Sequence, residues 1–309
     1  MDRSAKDCLV LFDTTVEGRL DEGWNSGVYR QRTKTIKAGP MITVQCYPIW
    51  DTATRAQVAK SEARRARHRA AMERLNAKNA RKRLINLVNQ NFGAGDLILT
   101  MEYPIGRQPC DDARARRDMQ NLIDRLRRRW RGRSEQAMKY IYVTEKTQSE
   151  KYGERWHHHM IITGGVLSRE EIEQAWIIRH GGLANARVAQ PNERHLSGFA
   201  AYLTLDKTGR DPQKDGKNPQ TRVGRRWSGS ANLTQPTETT ADKKISVRKA
   251  GQIAEGAASG ARIALQKLYP DCELLWIECK RSRWTTGVYI TAELRKIPNR
   301  EKRRKEVNL

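Results

Sequence analysis

The run from Arg155 to Thr163 reads Arg-Trp-His-His-His-Met-Ile-Ile-Thr and constrains the chain more than any other stretch. Its apolar second half and the Gly164-Gly165 pair that closes it read as a β-strand. Alternate residues of a strand share a face. His157 and His159 therefore point one way, and Trp156, His158 and Met160 point the other. Any sheet built on this segment must present two imidazoles on one face, spaced to share one divalent metal. A histidine cluster can also be a surface accident, a tag fragment or stacked core residues. Its internal position and the apolar residues Met160, Ile161 and Ile162 behind it speak against a tag.

The chain has 309 residues, with 59 Lys+Arg against 35 Asp+Glu and a net charge of +24. Such an excess predicts a polyanionic partner, nucleic acid before an anionic membrane surface. No stretch approaches the ~20 apolar residues that a membrane span needs. The first residues hold no apolar segment long enough for a secretory leader, so a cytoplasmic location is expected. Five cysteines, at 8, 46, 110, 272 and 279, are scattered and form no Cys-x-x-Cys pair. That suits a reducing compartment without disulfides or a zinc ribbon. No Gly-x-x-x-x-Gly-Lys-Ser/Thr loop occurs, so no nucleotide-driven helicase motor of that type is expected in the chain.

Local patterns set out the elements. Residues 26–50 read as a hairpin turning at Ala38-Gly-Pro40. Residues 53–90 read as a long basic helix. Between Arg55 and Arg83 it carries eleven Lys/Arg and two acids, Glu62 and Glu73. Solvated helix faces usually mix signs, so a run of one sign favours phosphate contact. A short strand over 96–103 precedes a helix over 111–132, where Met119, Leu122, Ile123, Leu126 and Trp130 form one apolar stripe. Strands over 139–145 and 157–163 follow, joined by a polar connection over 146–155. Ser168 and Glu171 make a capping box that opens a helix to about 178. Another strand over 183–189 and a helix over 195–205 come next, then a Gly/Pro/Lys-rich loop over 207–224. The C-terminal part reads as a helix near 247–268, strands over 273–278 and 287–294, and a basic tail. The central order, β-α-β-β-α-β, predicts an α+β fold: a ferredoxin-like antiparallel sheet with helices on one face and the other face open for a substrate.

Glu145 ends the strand before the histidine strand, and a hairpin brings it beside His157. Two neutral imidazoles and one carboxylate leave coordination positions open, as a catalytic metal requires. Mg²⁺ or Mn²⁺ is favoured where phosphate oxygens complete the sphere, although imidazoles also admit zinc. Glu145 can instead be a surface carboxylate paired with Lys146 or Arg155. Tyr202, on the helix after the sheet, can act as a nucleophile toward a phosphate. A helical tyrosine is far more often a packing residue. Lys207 is the nearest lysine that could lower the cost of its phenolate.

Together these features resemble the HUH endonucleases, the rolling-circle replication initiators and relaxases, whose motif is His-hydrophobic-His on a strand with a tyrosine on a later helix. Around that motif the chain looks like phage and plasmid replication-associated proteins of the filamentous-phage gene II type. The stretches that carry the likeness run from Asn91 to Tyr103, Tyr140 to Glu145, Arg155 to His159 and Arg225 to Pro236. The resemblance implies that His157, His159 and Glu145 hold the metal and that Tyr202 is the nucleophile, with Lys207 assisting. His158 stands where a hydrophobic residue is usual. Lys207 lies five residues after the tyrosine, where the family often has lysine three or four residues on. Tyr103, Tyr140 and Tyr142 lie on strands ahead of the metal motif, which suits them less as nucleophiles.

The reading that follows is site-specific nicking and rejoining of single-stranded origin DNA through a 5′-phosphotyrosine, with a host helicase and polymerase as partners and no membrane. Conjugative relaxases and single-strand transposases share the chemistry. A non-catalytic nucleic-acid-binding protein and a zinc-dependent hydrolase are the alternatives of other classes. Arg64, Arg65, Arg67, Arg128, Arg129, Arg225 and Arg226 are candidate phosphate contacts. Trp227 is either a base-stacking residue or a core tryptophan. The expected segments are 1–90, a hairpin and basic helix; 91–236, the nuclease core; and 237–309, a helix, strand pair and basic tail.

Overall fold

The computed structural model describes residues 29–50, 76, 79–149, 153–203, 227–242, 244–255, 258–281 and 287–297. In chain order, β1 (Tyr29–Ala38) and β2 (Met41–Trp50) form a hairpin. Helix α1 covers 79–91. The central elements are β3 (Leu97–Glu102), α2 (Asp112–Trp130), β4 (Tyr140–Ser149), β5 (Gly153–Ile162), α3 (Arg169–His180) and β6 (Ala184–Val188). Then come α4 (Ser197–Tyr202), β7 (Ser228–Gly229), β8 (Thr237–Asp242), α5 (Val247–Glu255), α6 (Ala258–Leu268), β9 (Cys272–Arg281) and β10 (Val288–Lys296). The chain is α+β, as the sequence predicts, with two five-stranded antiparallel sheets.

The described residues divide into two units. One is Ala80–Gln235; the other joins the N-terminal hairpin to the segment from Pro236 onward. The second unit has the strand order β8-β1-β2-β10-β9. Here the expected N- and C-terminal segments are not separate, because β10 pairs with β2, setting Ile290 opposite Cys46 and Ala292 opposite Val44. An isolated two-stranded hairpin is marginal in water, and the C-terminal strands complete its sheet. Leu265 of α6 packs with Val44 and Ala292, and Ile253 of α5 with Cys46 and Ile290. The single helix expected over 247–268 is two helices, and Gly256, a poor helix former, stands between them in the sequence.

The first unit has the order β6-β3-β5-β4-β7, with every neighbouring pair antiparallel. Its βαββαβ connectivity is the expected ferredoxin-like arrangement. One sheet face packs on α2 and α3. The stripe Met119, Leu122, Ile123 and Leu126 is fully buried against Leu99, Met101 and Met160, and Trp176 of α3 joins them. Asp111 caps α2 by accepting from the Arg114 backbone N–H, and Ser168 and Glu171 form the expected capping box at α3.

The opposite face is not bare. At one end Ile98, Ile141, Val143 and Ile161 pack against Leu84, Leu87 and Val88 of α1 and Ala200 of α4. The strands are apolar on both sides there, so both sides need cover. The hairpin β4–β5 is also longer than its polar sequence suggests: pairing runs without a break from Tyr140 opposite Ile162 to Ser149 opposite Gly153. An ion pair of Lys146 with Glu154 at 2.6 Å, and the Lys146 ammonium 5.4 Å from the Trp156 ring centre, lie in this outer part of the hairpin. Charged cross-strand pairs thus stand where the sequence reads as a connection.

Candidate metal centre

Register places the site. On β5 the residues alternate, and His157 and His159 share the face of Ile161. Glu145 of β4 lies directly opposite His157, and so does Glu102 of β3 on the other side. Thr100 and Val143 flank His159 in the same way. Directly opposed residues of an antiparallel pair share a face, so the His157 row is Glu102–His157–Glu145 and the next is Thr100–His159–Val143.

The side chains complete the arrangement. The Nε2 of His157 lies 3.1 Å from the Glu145 Oε2, and the Nε2 of His159 lies 4.0 Å from the same oxygen. All three donor groups fall within 4.8 Å of one another. Both histidines are buried and the Glu145 side chain is 10 % exposed. Glu102 turns instead to Arg155, with an oxygen–nitrogen distance of 3.1 Å. Thr100 Oγ1 sits 3.2 Å from the Nδ1 of His159. A hydrogen bond there fixes ring orientation and leaves Nε2 for the centre, as outer partners of metal-binding histidines do. Two imidazole nitrogens and one carboxylate oxygen, clustered and shielded, are a donor set suited to a divalent cation with open positions. Sequence reasoning missed Thr100 and Glu102; the alternation Ile98, Thr100, Glu102 along β3 carries their signal.

His158 has a different fate. It points into the opposite core, fully buried. Its Nδ1 lies 2.9 Å from Thr144 Oγ1 and its Nε2 lies 2.9 Å from the Tyr103 hydroxyl. Its ring meets Tyr103 and Trp176 edge-on. Burial first, then the neighbouring histidines 157, 180 and 159, hold its pKa well below the ordinary imidazole value. A neutral, doubly hydrogen-bonded imidazole thus fills a core position of β5.

Tyr202 is the last residue of α4 and is 51 % exposed. Its ring lies 5.7 Å from that of His159, edge to face. Tyr103, Tyr140 and Tyr142 are buried with the α2 cluster, on the sheet face away from His157 and His159. Burial pushes the Tyr103 phenol far above its usual pKa, reinforced by the Asp118 carboxylate. Trp227 packs half-buried against the α1 cluster, with the Arg83 guanidinium 5.9 Å from its ring centre. Arg128 and Arg129 lie on α2, behind the sheet relative to His157, and Arg129 donates to the Glu171 carbonyl at 2.6 Å. Lys207, Arg64, Arg65, Arg67, Arg225 and Arg226 lie outside the described residues.

Residues 96–207 match the family model of the replication-associated protein ORF2/gene II protein. The matched segment runs from the start of β3 through Lys207 and contains Glu145, His157, His159 and Tyr202; the flanking unit lies outside it. No curated protein and no solved structure gives a significant match to the chain.

Proposed function

We propose that the chain is a metal-dependent HUH endonuclease and strand transferase that nicks and rejoins single-stranded DNA at the origin of a rolling-circle replicon, phage or plasmid. The observation that carries this reading is the convergence of His157, His159 and Glu145 on one sheet face with Tyr202 beside His159, inside the segment that matches the replication-associated family. His157 and His159 through Nε2, and Glu145 through a carboxylate oxygen, would hold the cation. Mg²⁺ or Mn²⁺ bound there supplies Lewis-acid polarisation of the scissile phosphate.

The rest of the chemistry falls to the chain. Thr100 holds the His159 ring. Tyr202, half exposed at the helix end, can reach a strand laid across the site. Its phenol gives up its proton as the oxygen attacks phosphorus in line. The bond from phosphorus to the 3′ oxygen breaks, and that oxygen leaves as a 3′-hydroxyl after taking a proton. The product is a 5′-phosphotyrosine ester. A 3′-hydroxyl can attack the ester in reverse and rejoin the strand without ATP, because the bond energy is kept. Lys207, within the same matched segment, is the proposed cation for the developing phenolate. The net charge of +24 supplies salt-dependent backbone affinity for DNA. Free 3′ ends would be extended by a host polymerase, with a host helicase opening the duplex in the cytoplasm. No helix among the described residues is long and apolar enough to cross a membrane.

The test is incubation with labelled single-stranded origin DNA from its own replicon and Mn²⁺ or Mg²⁺, read on a denaturing gel. A protein–DNA adduct is expected for wild type and for neither Tyr202→Phe nor His157→Ala/His159→Ala. Cleavage without an adduct would replace this reading by metal-dependent hydrolysis. An adduct that survives Tyr202→Phe would move the nucleophile to another tyrosine. Binding without cleavage of a verified origin would leave a DNA-binding protein.

A further inference from the structure

A concavity lies in the first unit on the α2–α3 side of the sheet, away from His157 and His159. It encloses about 320 Å³, at the small end of ligand sites. Its lining includes the buried Tyr103 and Asp118, the half-buried His180 and the exposed Arg107, Arg114 and Arg179. Nothing in the nicking chemistry uses these residues.

Charge at this cavity is one-sided. Asp118 is its single acid, and that carboxylate is already engaged: Arg114 Nε lies 3.2 Å from Oδ1, and the Tyr103 hydroxyl donates to Oδ2 at 3.3 Å. Among the described residues neither Arg107 nor Arg179 has an acidic partner. With Asp118 taken up by Arg114 and Tyr103, Arg107 and Arg179 leave an excess of positive charge at this cavity that a bound anion can offset. The His180 Nε2 is buried without a hydrogen-bond partner. Burial first, then the guanidiniums of Arg125, Arg179 and Arg114, push its pKa down against the pull of Asp118. His180 also lies over Trp176 with ring centres 4.2 Å apart, which gives the floor an aromatic character.

The walls are fixed before any ligand arrives. Gln108 donates to the Tyr103 and Pro104 carbonyls at 3.2 and 3.0 Å and accepts from the Trp156 backbone N–H at 2.8 Å. That ties the loop after β3 to the histidine strand. Just beyond His180, a Cβ on Gly182 would stand 1.9 Å from the Glu102 carbonyl oxygen, so only glycine lets the chain after α3 come this close to β3. Gly181, at φ +65°, ends the helix beside the Arg107 guanidinium.

We propose that this cavity binds a nucleoside monophosphate unit, its phosphate between Arg107 and Arg179 and its ring against His180 and Tyr103. Arginine forks match phosphate oxygens in pairs, and bases stack on aromatic floors. The unit can come from a free nucleotide or from one nucleotide of a DNA strand; both present the same chemistry.

Equilibrium dialysis of the full chain with labelled deoxyadenosine monophosphate, without divalent metal, tests the site. Saturable binding is expected, weakened about tenfold or more in Arg107→Ala/Arg179→Ala, the loss of at least one charge-assisted contact. Arg117→Ala/Arg131→Ala removes the same charge from exposed α2 and post-helix positions outside the cavity, and should bind as wild type does. Displacement by a short oligonucleotide would support a strand nucleotide as the occupant, and its failure a free nucleotide. Absence of saturable binding, or equal weakening in both double variants, would overturn the proposal. His157→Ala/His159→Ala should bind normally, so this result is independent of the nicking assay.

Discussion

Three identical side chains in a row do two different things here, and the strand's alternation decides which. His157 and His159 turn Nε2 toward Glu145, while His158 spends both nitrogens on Thr144 and Tyr103 inside the core. Thr100→Val removes the partner of the His159 Nδ1 without altering volume much. Calorimetric titration should show Mn²⁺ affinity falling about 10–100-fold, the usual effect of removing an outer-shell partner, with an unchanged unfolding midpoint. His158→Leu should do the opposite. The half-buried Thr144 hydroxyl then loses this partner while the Tyr103 hydroxyl keeps Asp118, a cost of about 1–3 kcal/mol in all, so denaturant unfolding shifts while Mn²⁺ stoichiometry stays at that of wild type. A His158→Leu protein that loses the ion but keeps its stability would contradict this division of roles.

Helix α2 is the element that holds the histidine strand from behind. Leu122 is fully buried in its stripe, and Leu122→Ala should cost about 2–5 kcal/mol by urea denaturation, transfer plus cavity. Helix α3 depends on its cap. The backbone N–H of Ser168 and then Arg133 hold the Glu171 carboxyl below its ordinary value of 4.5. An acid whose folded pKa is depressed stabilises above its unfolded value, and that contribution is lost as pH falls through the folded one. Wild type should therefore melt above Glu171→Gln at neutral pH, and the gap should close below pH 4.5. A gap independent of pH would mean that the charge has no part in the cap. Both helices were legible in the sequence, since stripe and capping box are local signals. The two-residue β7 was not, because Ser228 and Gly229 become a strand only by pairing with Tyr142 and Ile141. Strand β8 has every residue exposed and no apolar alternation, and it is held to β1 by pairs such as Arg32 with Asp242 at 2.6 Å.

In the whole molecule, the N-terminal hairpin and the C-terminal strands belong to one sheet. Removal of residues 237–309 would expose the β2 edge and the apolar face of Val44 and Cys46 that α5 and α6 cover. In limited proteolysis the hairpin 29–50 should become labile while the fragment from Ala80 to Gln235 persists. Equal lability of both would mean that the first unit does not stand without the second.

By itself the sequence determined the faces: a two-residue period puts His157 with His159 wherever the strand ends up, and a helical period fixes the α2 stripe. Those are properties of a backbone a few residues long. Tertiary structure alone decided the partners. Glu102 and Glu145 both stand opposite His157 in register, and only side-chain packing turns Glu145 to the histidines and Glu102 to Arg155. The same holds for β10 beside β2, and for helices on the face that the sequence left open. Such pairings rest on contacts between residues far apart in the chain, and no local period encodes them.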